Sequence, residues 1–146
     1  GPPKETILHR PVVGAAGAFE ARGYRVALAG VAVTPPDAQC DAAGESWPCG
    51  VHARTAFRNW LRGRALACVV PPAPPGETVV TDCALGGQNP AEWLVAQGWA
   101  RALPGSAYAA LGEEAERRGR GLFGPAPVVS LPAPPAPPAP EPSGGG

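Results

Sequence analysis

The chain predicts a mainly β, α+β domain: a small closed barrel of short strands with about three helices packed on it. Three observations lead there. Apolar residues follow a β pattern through residues 12–33. They then switch to helical spacing over 52–62. Two more strand-like runs, 65–70 and 78–85, come next, and two more helical segments follow them. At 146 residues there is room for one domain and not for two. The 21 Pro and 20 Gly mark a low-complexity segment attached to a smaller folded body.

Residues 1–11 are polar and punctuated by Pro, so they read as an extended lead-in. Phe19-Glu20-Ala21 and the run from Tyr24 to Leu28 alternate, with Arg22-Gly23 between them as a hairpin turn. The stretch 34–50 carries a Pro-Pro step and two Cys and reads as loop. In the helix that follows, Ala53, Ala56, Phe57, Trp60 and Leu61 share one face. Arg54, Arg58 and Arg62 are four apart and stack into a basic stripe beside it. Gly63 ends this helix. A Pro-rich turn joins the strands at 65–70 and 78–85, and Gly86-Gly87 breaks the second. Pro90 suits the first position of the next helix, which Gly98 caps. The last helix, 108–118, leads with Glu113, Glu114 and Glu116 and trails with Arg117 and Arg118, as its dipole favours. Beyond Phe123 the Pro-rich composition predicts a polyproline-type tail with no core of its own. The expected division is a lead-in at 1–11, an OB-type barrel with its helices at 12–124 and a tail at 125–146.

The formal net charge is zero, so no global field steers the chain towards nucleic acid. No apolar run approaches the roughly 18 residues of a membrane helix. Met is absent from the sequence. This reads as a processed chain that has lost an export signal or an anchor, with simple trimming as the alternative. Four Cys permit three connectivities. The sequential one, Cys40 with Cys49 and Cys68 with Cys83, closes short loops and suits a hairpin for the second pair. Each bridge is expected to contribute roughly 2–4 kcal/mol. The spacings are not those of a zinc knuckle, and His9 and His52 do not pair. Free buried thiols in a cytosolic protein are the alternative; an oxidising compartment is the preferred reading.

Several strings in order resemble the Cys-containing bacterial branch of the staphylococcal nuclease-like (thermonuclease) family. They are Gln39-Cys40, Gly44, Trp47-Pro48-Cys49-Gly50 and Ala53, then Leu61, Gly63-Arg64 and Cys68. Cys83, Gly86-Gly87, Trp93-Leu94-Val95 and Gly98-Trp99-Ala100 continue the series. Tyr108, Glu114-Ala115 and Gly121-Leu122-Phe123 resemble that family's terminal helix and its ending. The match covers residues 12–123, and it implies an OB-fold, five-stranded barrel with three helices. It also implies calcium-dependent phosphodiester hydrolysis, for which carboxylates hold the cation and arginines brace the phosphate.

The residues of that chemistry are missing. The family's Asp-Gly-Asp-Thr falls on Ala15-Ala16-Gly17-Ala18. Its Arg-Leu-x-Gly-Ile-Asp falls on the run from Ala27 to Ala32, which leaves Ala at both the Arg and the Asp position. A further Glu position lands near Thr34-Pro35-Pro36-Asp37, and the hairpin Arg corresponds to Glu77 or Thr78. Shifting the register does not help, because Glu20 is the one acid between residues 12 and 33.

The resemblance therefore implies a catalytically dead member, not an enzyme, with no metal and no cofactor. The expected role is a structural or protein-interaction module, an accessory subunit of a larger bacterial assembly. A disulfide-bearing processed chain would be periplasmic or exported, and such an assembly could lie at the outer face of the inner membrane. Arg54, Arg58 and Arg62 are candidate partner-binding residues. Their competing reading is a solvated face or ion pairs with Glu113, Glu114 and Glu116. Nucleic-acid binding without cleavage is the second reading; it is disfavoured because Trp60, Trp93 and Trp99 sit where helix packing explains them. A calcium-dependent hydrolase using Asp37, Asp41, Glu45 and Asp82 is the third, although these acids have neither the family's spacing nor a His partner.

Overall fold

The computed structural model describes residues 1–128 and Pro138; the tail expected at 125–146 lies outside them from residue 129 onward, Pro138 apart. The fold is α+β, with three α-helices and eleven short strands among the described residues. It begins earlier than the periodicity suggests. The polar lead-in contains strand β1 (Lys4–Leu8), which pairs antiparallel along its whole length with β8 (Leu66–Val70). A one-strand pattern of four exposed or half-exposed residues and one buried Leu8 is too weak to read without its partner. The packed body therefore starts at Lys4 rather than at residue 12.

After β1, strands β2 (Val12–Ala15), β3 (Ala18–Ala21) and β4 (Tyr24–Leu28) form an antiparallel meander. The Arg22-Gly23 turn expected between the last two is present, with both residues at positive φ. Strand β4 then pairs in parallel with β9 (Thr78–Thr81). On its other side β8 pairs with β10 (Cys83–Ala84). Only residues 9–11 separate β1 from β2, and only Asp82 separates β9 from β10, so the two sheets run into each other at both edges.

The segment read as loop at 34–50 contains a small hairpin, β6 (Cys40–Ala42) and β7 (Glu45–Trp47). Its turn residues, Ala43 and Gly44, both have positive φ. Ala there masks the usual Asn-Gly or Asp-Gly signal. Strands β5 (Val31–Ala32) and β11 (Arg101–Ala102) form a second two-residue ladder that the sequence did not announce.

Helix α1 (Cys49–Leu61) starts three residues before the periodic stretch and ends where Arg62 turns left-handed ahead of Gly63. Ala53, Phe57 and Leu61 are fully buried, and Ala56 and Trp60 flank them half-buried. Helix α2 (Pro90–Ala96) has Pro at its first position, and the Asn89 side-chain oxygen accepts from the Ala91 and Glu92 amides at 3.0 and 3.3 Å. Helix α3 (Ala109–Arg117) buries Ala115. Gly98 does more than end α2. A Cβ there would lie 2.2 Å from the Arg120 carbonyl, so Gly98 lets the backbone that enters the final 3-10 turn, Gly121–Phe123, cross directly over it. The Leu122 amide donates to the Gly98 carbonyl at 2.9 Å across this crossing.

Two disulfides staple the fold: Cys40 to Cys49, linking β6 to the start of α1, and Cys68 to Cys83, linking facing residues of β8 and β10. This is the sequential pairing.

Phe57 is the largest of the side chains buried to below 2 % exposure. Phe57→Ala is expected to destabilise the domain by about 3–5 kcal/mol, read as a lowered denaturant midpoint at unchanged slope. Replacing Cys68 and Cys83 together by Ala is expected to cost about 3 kcal/mol by the loop-closure argument, measured in the same way.

Candidate functional site

The positions onto which the resemblance lays the family's ligands can be located one by one. Gly17 forms the turn between β2 and β3, with φ 101° and no exposed surface of consequence. Its carbonyl accepts the Leu28 amide at 2.9 Å, which brings it against β4. Ala27 lies on β4 between Ala18 of β3 and Val80 of β9. Ala32 lies on β5, which passes the same turn: Ala16 bridges to Thr34, and a Cβ on Gly17 would touch the side chains of Val31 and Val33 at 3.6 Å. Gly17, Ala27 and Ala32 thus gather around the Ala16-Gly17 turn.

Glu77 does not join them. The register places Val80, three residues further along the chain, beside Ala27, so Glu77 sits about 10 Å up the sheet edge. It is exposed and makes no ion pair among the described residues.

What surrounds the turn is structural. Thr34 is buried; its hydroxyl donates to the Trp99 carbonyl at 2.7 Å and its amide donates to Ala16 at 3.1 Å. A cavity of about 290 Å³ adjoins Ala32, lined by Pro35, Gln39, the Cys40–Cys49 disulfide and Arg101 among others. Arg101 faces Ala32 in the ladder, and its guanidinium stacks over the Phe123 ring at 4.7 Å. A cation placed so is engaged with an aromatic face.

The loop acids are scattered. Asp37, Asp41, Glu45 and Asp82 are all exposed, and Asp41 and Glu45 share the β6–β7 hairpin without facing one another. Among the described residues no three His, Cys, Asp or Glu side chains come together as a metal cluster.

The basic stripe is on α1 as expected, but its partners are not. Arg58 donates to the Val13 carbonyl at 3.4 Å, tying the helix to β2. Arg62 ends the helix, and the Arg54 Nε is buried without a hydrogen-bond partner among the described residues. One acid of α3 pairs within its own helix: Glu114 accepts from both Arg117 and Arg118. Of the two alternatives for the stripe, a solvated face or ion pairs with Glu113, Glu114 or Glu116, the ion pairs are absent among the described residues. The i, i+3 and i, i+4 spacing within α3 satisfies Glu114 locally at less entropic cost.

Trp60 and Trp93 stack on each other, 4.8 Å between centroids and 14° between planes, joining α1 to α2. Trp47 is buried, donates its indole N–H to the Gly124 carbonyl at 3.2 Å, and meets Trp99 edge-on at 6.5 Å. Sequence reasoning missed one grouping. Arg10, Arg22 and Arg25 line a single cleft at the opposite end of β3 from Gly17. The Arg22-Gly23 turn was visible, but nothing in the sequence places Arg10 beside it.

The chain matches no family model and no curated protein. No helix among the described residues is long and apolar enough to cross a membrane. The two disulfides are compatible with an exported protein.

The Arg118 guanidinium holds the Glu114 carboxyl below the usual carboxylate range, and the charge of Arg117 adds to this. Its contribution to folding is complete above that range and fades as pH falls through the lowered value. Because the pair is solvent-exposed, its effect on global stability is small. In a carboxyl-detected NMR titration, Glu114 is expected to titrate below the usual glutamate range and to rise in Arg118→Ala.

Proposed function

We propose that this chain is a non-catalytic, staphylococcal nuclease-like domain that serves as a structural or protein-interaction module. One observation carries the reading: the positions Gly17, Ala27 and Ala32 converge on one turn, and none carries a group that could bind a cation or a phosphate. Convergence supports the resemblance, because the β2–β3 turn, β4 and β5 bring together the positions that the family uses as one site. The absence of functional groups supports loss of the chemistry, since hydrolysis needs carboxylates on the ion and arginines on the phosphate.

The strand pairing also supports an OB barrel of the staphylococcal nuclease type. A three-strand meander, a parallel pair between β4 and β9, and a return through β8 to β1 form a cyclic series of neighbours once β1–β2 and β9–β10 are each taken as one interrupted strand. The scaffold is stapled by two disulfides and brings no acid cluster together among the described residues, which suits an accessory subunit of a larger bacterial assembly in the periplasm, at the outer face of the inner membrane.

Binding of single-stranded nucleic acid finds less support. Such binding uses exposed aromatic platforms, and the tryptophans here are spent on internal stacking. A relocated hydrolytic site finds none in the scattered loop acids.

The full chain, incubated with calcium and single-stranded DNA, is expected to release no fragments above a protein-free blank. Calcium-dependent cleavage lost in Asp37→Ala would sink this reading. In parallel, the endogenous protein is expected to sediment with a partner rather than as a free monomer.

A further inference from the structure

Resting on the reading above, we infer that the outer face of the β2–β3–β4–β9 sheet is the partner-docking surface, and that it takes an extended segment carrying acidic residues followed by aliphatic ones. Two adjoining depressions make up this face. One is a cleft of about 420 Å³ into which Arg10, Arg22 and Arg25 all contribute. The other is a trough of about 380 Å³ over Gly14 and Ala18, and the two share Val12, Glu20 and Arg25 as their common wall.

Charge decides what the first depression accepts. Three guanidiniums stand against Glu20 in the cleft and Glu77 at its rim, between Gly76 and Thr78, so the local charge is positive in a chain whose total is zero. Among the described residues both ion pairs belong to Glu114, so none of these three arginines has a carboxylate partner. Arg25 is tethered through the Gly76 carbonyl, and Arg22 reaches the Ile7 carbonyl at 3.5 Å. Each guanidinium has five N–H donors, so these contacts leave several donors for a carboxylate fork.

Shape decides the second. The register across the sheet puts Ala18, Ala27 and Val80 in one row and Val12, Glu20, Arg25 and Thr78 in the next. Small side chains keep the floor low, and a Cβ on Gly14 would meet nothing within 4 Å. At the rims stand Val12 and Val80, 69 % and 67 % exposed, the two most exposed large aliphatic side chains of the sheeted body. Flat aliphatic surface of this kind next to a cationic cleft is complementary to a peptide with acidic and then aliphatic side chains. It is a poor match to a nucleic-acid strand. The aromatic residues beneath it, Phe19 and Tyr24, are buried, and the Tyr24 hydroxyl is donated to the Pro71 carbonyl, so no ring is presented for base stacking.

Fluorescence anisotropy on the full chain tests this with three labelled probes: a peptide of aspartates followed by valines, the same peptide with lysines in place of aspartates, and a short oligothymidylate. The acidic peptide is expected to bind with a Kd on the order of 100 µM, weakening with added salt, and the other two to bind at least about tenfold less tightly. Arg10→Glu with Arg22→Glu changes two exposed turn residues and is expected to lower affinity for the acidic peptide about tenfold or more while thermal unfolding stays unchanged. Gly14→Leu fills the trough from an open position. It is expected to weaken binding of the acidic peptide while preserving its salt dependence. Equal binding of the lysine peptide, tighter binding of oligothymidylate, or no loss in either variant overturns the inference. So does the absence of binding at millimolar peptide. A partner that co-sediments with the endogenous protein and is retained by both variants would overturn this surface alone and leave the module reading standing; calcium-dependent cleavage would overturn that reading instead.

Discussion

Strand β8 is the element on which the other strands depend. Leu66, Cys68 and Val70 alternate along it with no exposed surface at all, and both of its backbone edges are occupied, by β1 and by β10. A strand buried on one face and paired on both sides has one tolerated register, because a one-residue slip would turn Cys68 and its neighbours to solvent. The disulfide from Cys68 to Cys83 fixes that register covalently. Once β8 is set, β10 carries the chain edge back to β9, and β9 presents itself in parallel to β4. Helix α1 closes one side of the core with Phe57, and Arg58 holds it to β2 through a backbone carbonyl.

A second lock lies at the C-terminal end of the packed body. The Gly98 crossing brings the final 3-10 turn onto the end of α2, and the indole of Trp47 holds the Gly124 carbonyl. Thr34 joins the same region to the Ala16-Gly17 turn through Trp99. These bonds are almost all to backbone atoms. That is why small side chains at Gly17, Ala27 and Ala32 leave the architecture in place: the ladder does not need the side chains that a hydrolytic centre would need. Fold and chemistry are separable in principle, because a ladder built on backbone bonds places few demands on the side chains beside it.

Charge is segregated although the total is zero. Glu114 of α3 is paired locally with Arg117 and Arg118, and Arg101 is taken up by Phe123. Arg10, Arg22 and Arg25 are left together at the far end of the meander with one Glu among them. Net charge therefore describes this protein poorly; the local imbalance is what a partner would meet.

Much of the local structure was legible from the residues alone. Alternation, the Arg22-Gly23 turn, Pro90 at a helix start and the apolar stripe on α1 are signals contained within one or two turns of chain. Four Cys at short separations also narrowed the staples. The sequence by itself further determined that Glu20 is the one acid between residues 12 and 33, whatever fold those residues adopt. Tertiary structure alone decided three things. It paired the polar lead-in as β1, because Lys4–Leu8 has no pattern until β8 lies beside it. It turned Glu114 to its own helix rather than to the arginines of α1, because neighbours one turn away win over distant ones. It also brought Arg10 to Arg22 and Arg25, residues whose proximity depends on how three strands end at one rim, which no local spacing encodes.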